Sequence, residues 1–129
     1  MAVNWDLLKA HYLRGDCRRH GKAKRASQLG SLSLNLMRLH VLANQGSDDA
    51  IAHHLVRESQ FFVEWTIPTI DLETEISSAT ELLELQRSLS RWKLNWVELW
   101  ASEAERQRVA TTAQEWCDRL QRQSEALVG

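Results

Sequence analysis

Residues 85–105 read LQRSLSRWKLNWVELWASEAE. They lie inside a longer stretch, residues 69–127, that contains neither proline nor glycine. As a single helix it would hold about 59 residues and reach about 88 Å at 1.5 Å per residue. That is too long to pack along its whole length in a globular monomer of 129 residues. The stretch must break or project into an oligomer. Two serine sites offer a break, Ser88 to Ser90 and Ser102, and Ser102 followed by Glu105 matches a capping box. The expected helices are therefore 69–100 and 102–127. Ile76, Ala79, Leu83, Leu85, Leu89, Trp92, Trp96 and Leu99 or Trp100 give the first an apolar face that drifts. Val109, Ala113, Trp116 and Leu120 mark the second.

Upstream, Leu29, Leu32, Leu36, Leu39 and Ala43 recur at three- and four-residue steps, predicting a helix over 22–44. Leu34, Met37, Val41 and Leu42 broaden its stripe, which suits a helix touching more than one neighbour. Gly46 is placed to end it in a left-handed cap. Ser47 is placed to cap a helix over 48–66, with Ile51, Leu55, Phe62 and Trp65 facing inward. Pro68 closes that helix or opens the next. A short helix over 5–13 is expected from Trp5, Leu8 and Tyr12. The reading is all-α: one domain, 1–129, an antiparallel helical bundle of four to five helices with a long C-terminal helical region.

The totals agree with this. Apolar residues make up 43% and charged residues 26%, with one proline and five glycines, a globular and not a disordered composition. No apolar run has the length of a membrane span, and the opening residues lack a signal-peptide pattern, so a cytoplasmic location is expected. Cys17 and Cys117 are the only cysteines and are expected to be reduced. No cofactor motif is present.

The formal net charge of −1 conceals a segregation. Residues 9–25 carry Lys9, Arg14, Arg18, Arg19, Lys22, Lys24 and Arg25 against Asp16 alone. Arg14, Arg18, Arg19, Lys22, Lys24 and Arg25 form a candidate polyanion-binding set, because phosphate contact needs several cations on one surface. The simpler alternative is a solvated helix start, or one that salt-bridges an acidic neighbour. No aromatic residue lies in 14–25 and no recognition-helix or zinc-finger spacing occurs. Arg14 and His20 are types that can serve phosphodiester cleavage, but the turn expected at Gly15 separates them and such a pair often occurs by chance.

Metal and catalytic motifs are equally thin. Cys17 and His20, with His11, make an incomplete zinc set. His53 and His54 are adjacent and diverge on a helix, whereas His54 and Glu58 share a face. Glu73, Glu75, Glu81 and Glu84 suit the positive end of a helix better than a catalytic carboxylate pair. No catalytic residue and no metal ligand is nominated, and a non-enzyme is favoured.

Trp92, Trp96 and Trp100 form an i, i+4, i+8 ladder, and the chain has six tryptophans. They can fill a core or form an interface. Leu94 and Val97 lie beside the ladder and make the helix apolar on more than one side. Trp92, Trp96, Trp100, Leu94 and Val97 are accordingly the candidate interface residues. The functional expectation is a non-enzymatic module that binds protein or assembles with itself, a homodimer first. The alternative is a nucleic-acid-associated accessory protein using segment 14–25.

Overall fold

In a computed structural model, which describes residues 18–128 and the side chains of residues 21–127, the leucine stripe lies on one unbroken helix. This is α1, Arg18–Gln45. Gly21 does not interrupt it, and it begins before the expected residue 22. The expected helix 5–13, together with Cys17, Arg14 and His11, lies outside the described residues. Gly46 takes φ +66, and the amides of Gly46 and Ser47 both close on the Leu42 carbonyl at 2.8 and 3.4 Å. This satisfies the orphaned end of α1.

Helix α2, Asp49–Thr66, starts without the expected serine cap. Asp48 precedes it in a left-handed conformation and makes no side-chain cap bond. The Ser47 hydroxyl instead donates to Gln45 Oε1 at 3.2 Å. Pro68 sits in a 3-10 turn, Ile67–Thr69. The third long helix, α3, spans Ile76–Leu94 and not 69–100. Residues 70–75 are held out of it by Asp71, whose carboxylate accepts the Glu73 amide at 3.0 Å and whose carbonyl accepts the Glu75 amide at 2.8 Å. Such local bonds compete with helix formation.

The proline- and glycine-free stretch breaks twice after that. Asn95 interrupts it first, its side-chain amide donating to the Arg91 carbonyl at 3.1 Å, and a short helix α4, Trp96–Ala101, follows. Ser88 to Ser90 make no break; Ser90 Oγ accepts a bond from Gln60 of α2 at 3.1 Å. Ser102 is extended and its hydroxyl accepts the Glu105 amide at 3.3 Å, opening α5, Glu103–Val128. Only that half of the capping box forms, because the Glu105 carboxylate takes Arg108 at 2.7 Å. Ser102→Ala is expected to cost about 1 kcal/mol, read as a lower urea midpoint at unchanged slope, and Ser102→Asp to restore it.

The helices form an antiparallel all-α bundle, with α1 between α2 and α5 and α3 against α2. The α1–α5 seam is the closest. Three side chains cross it to carbonyls: Ser124 to Ala26 at 2.9 Å, Ser33 to Cys117 at 3.2 Å, and His40 Nδ1 to Ala110 at 2.7 Å. Each step is seven residues on both helices, so the bonds recur on one face of each and pin the antiparallel register. A carbonyl can only accept, so His40 carries its proton on Nδ1, leaving Nε2 to accept the Asn44 amide at 3.2 Å.

Leu29, Leu32, Leu36, Leu39 and Ala43 are buried, as are Val109, Ala113, Trp116 and Leu120. Five inward expectations do not hold. Leu34 and Val41 lie on the outer side of α1, Ile51 is exposed on α2, and on α3 Leu82 takes the core position expected of Leu83. Ala79, Leu82, Leu85, Leu89 and Trp92 keep helical spacing, which rotates Ile76 and Leu83 outward.

Candidate interaction surface

The five candidate interface residues divide between the two sides of the arm formed by α3 and α4. Trp92, Trp96 and Trp100 are core residues. Trp96 stacks on Trp100 at 4.8 Å and, on its other face, on His53 of α2 at 5.1 Å. Its indole Nε1 donates to Asp49 Oδ1 in the first turn of α2. The Trp100 carbonyl accepts Arg106 Nη1 at 2.6 Å, and that guanidinium lies against Gly46, where an added Cβ would come within 3.0 Å. The ladder therefore ties α4 to the start of α2 and the end of α1.

Leu94 and Val97 point the other way, at 85% and 82% exposure. They continue the outward line begun by Ile76 and Leu83, each more than half exposed, with Leu72 in the preceding loop. At 3.6 residues per turn, positions 76, 83 and 94 fall within about 20° of one another around α3. Single exposed apolar residues are ordinary, but an aligned row is the signature of a contact surface. Sequence periodicity missed Ile76 and Leu83 as members. The signal was the two-residue step from Leu83 to Leu85, which no single helical face allows.

Charge is sorted along the same helix and the loop that precedes it. Asp71, Glu73, Glu75, Glu81 and Glu84 precede its midpoint with no basic residue among them, and Arg87, Arg91 and Lys93 follow with no acidic one. Glu75 is engaged by Arg25 and Glu81 by Gln123. Glu84, Arg87, Arg91 and Lys93 are solvent-facing and enter no ion pair among the described residues.

The polyanion set is reduced by one. Arg25 is 5% exposed, with Nη2 on Glu75 at 2.5 Å and Nη1 on the Thr69 carbonyl at 2.9 Å. It clamps the two ends of the 70–75 loop and offers no charge to a ligand. Lys22 is exposed and Lys24 half-buried; the side chains of Arg14, Arg18 and Arg19 lie outside the described residues. A neutralisation series for nucleic-acid retention would thus use Arg18, Arg19 and Lys22, leaving Arg25 intact.

Open cavities of about 540 and 560 Å³ lie along the α3–α5 seam. Trp92, Leu99 and Val109 line the first, with Arg91, Glu98 and Arg108 among its polar residues. Their charges are mixed, and no nucleophile–base pair faces either cavity. His54 pairs with Glu58 at 3.1 Å on the surface, while His53 is taken by its stack on Trp96. Among the described residues no three metal-ligating side chains converge, and no helix is long and apolar enough to cross a membrane. Comparisons with protein-family models, with curated proteins and with solved structures give no match.

Proposed function

We propose that this chain is a self-assembling helical module that acts through contact, with the outward face of α3 and α4 as its docking surface. The observation that carries the reading is the row of Ile76, Leu83 and Leu94 on one face of α3, with Val97 exposed just beyond the Asn95 break; Leu94 and Val97 are the most exposed large apolar side chains among the described residues. The opposite face of the same arm is committed to the core through Trp92, Trp96 and Trp100. A helix apolar on both sides leaves one side wet unless something covers it, and each buried leucine or valine side chain returns about 1.5–3 kcal/mol.

Light scattering tests this. The wild-type chain is expected to have a mass that is a multiple of the 14.9 kDa protomer. Leu94→Asp combined with Val97→Asp is expected to return it to the protomer mass with helix content unchanged and with the urea midpoint of the wild-type chain at dilutions where it is dissociated. Association should weaken at least about a hundredfold, since two buried side chains are lost from each protomer. A wild-type monomer at high concentration would remove the reading.

A further inference from the structure

We infer that the docking surface takes a second copy of this chain across a two-fold axis, with the two α3 helices antiparallel. This rests on the self-assembly reading above and adds the partner's orientation. The argument is the distribution of charge. An antiparallel pair centred near Ser88 lays Glu84 of one protomer beside the basic segment 91–93 of the other, while the Arg87 side chains meet near the axis in either orientation and do not choose between them. A parallel pair lays like charge on like, which opposes association.

The side-chain placement follows from helix geometry. Leu83 and Leu94 share the outward face, 11 residues or about 16 Å apart, one on each side of that centre. Reversal about the axis sets Leu83 against the partner subunit's Leu94, and Leu94 against the partner subunit's Leu83. Residues on the same edge of the stripe stay on the same edge of the pair, because the axis is perpendicular to both helices. Glu84 and Arg91 occupy one such edge, the one beside the α3–α5 cavity that both line. Glu84 then meets the partner subunit's Arg91, and the contact occurs twice by symmetry. Among the described residues neither side chain has an ion pair to give up. Antiparallel alignment also opposes the helix dipoles favourably.

The test is cross-linking between chains that each carry one introduced, exposed cysteine in a Cys17→Ser background, where the remaining native thiol, Cys117, is buried. Leu83→Cys and Leu94→Cys chains are mixed in equal amounts and treated with a short bis-maleimide. The expected product is the mixed 83–94 dimer, in clear excess over 83–83 and 94–94. Predominance of the two like pairs in a chain that still dimerises would overturn the antiparallel orientation and leave self-assembly standing. A monomeric wild-type mass would overturn both.

The charge pair gives a second readout. Glu84→Arg is expected to weaken dimerisation about fivefold to tenfold through its two symmetric contacts, and adding Arg91→Glu to recover it. The dissociation constant of the unaltered chain should rise with salt. A constant that falls or stays level with salt, or a double variant weaker than the single one, would overturn the orientation without any cysteine variant.

Discussion

A Trp96→Ala chain is expected to lose about 3–5 kcal/mol of folding stability, which is a large part of the 5–15 kcal/mol typical of a domain. The side chain is 6% exposed and sits between the His53 ring and the Trp100 indole. Truncation removes both stacks and opens a cavity where α2, α3 and α4 meet. It also strips Asp49 of the indole N–H that it accepts. Trp96→Phe keeps most of the apolar volume and loses the hydrogen bond, so it should cost less, about 1–2 kcal/mol. Urea unfolding distinguishes the cases: both variants should lower the midpoint at unchanged slope, alanine far more. Under conditions where the alanine chain remains folded, its oligomer mass should match wild type, because Leu94 and Val97 face away from the indole. A normal midpoint with a lost oligomer would place Trp96 in the interface instead.

That contrast shows where the sequence was informative. Apolar residues at three- and four-residue steps marked α1 through Leu29, Leu32, Leu36, Leu39 and Ala43, and α5 through Val109, Ala113, Trp116 and Leu120, because burial on one face imposes that period. Gly46 and Ser102 marked ends, because a left-handed cap and an N-terminal hydroxyl are local chemistry. Asn95 and the 70–75 loop were not legible. Asn95 breaks the helix with its own side chain, and an asparagine does so in one context and not in another. The outward row on α3 was half legible. Leu94 and Val97 stood out beside the ladder, while Ile76 and Leu83 were absorbed into an inward face that belongs to Leu82 and Leu85.

The α1–α5 register escaped for a different reason. Ser33, His40, Cys117 and Ser124 are polar or small, and a search for apolar periodicity passes over them. Their seven-residue recurrence becomes meaningful only when the two helices are laid side by side. The basic segment shows the same limit from the other direction. Seven Lys or Arg residues in 9–25 read as a surface feature, and nothing local distinguishes Arg25 from Lys22. The distinction comes from Glu75, 50 residues away.

Removing that partner should have a large effect. Glu75→Ala is expected to cost about 2–4 kcal/mol, toward the lower side of what breaking a buried pair costs, because Glu75 itself keeps 26% exposure. The loss is asymmetric. Arg25 cannot shed its charge by deprotonation, so the alanine chain buries a guanidinium with only the Thr69 carbonyl to answer it. Arg25→Met removes the charge and keeps an apolar stem against Leu29 and Ile70, so it should cost less than Glu75→Ala. Its expected cost is about 1–2 kcal/mol, from the lost clamp on the loop and the unpaired Thr69 carbonyl. Hydrogen exchange supplies the local readout: amides of residues 70–75 should lose protection in both variants, while those of α5 follow the global midpoint. If the methionine chain proved the less stable of the two, the arginine would be needed for more than neutralising Glu75, and the basic segment would regain a claim on a ligand.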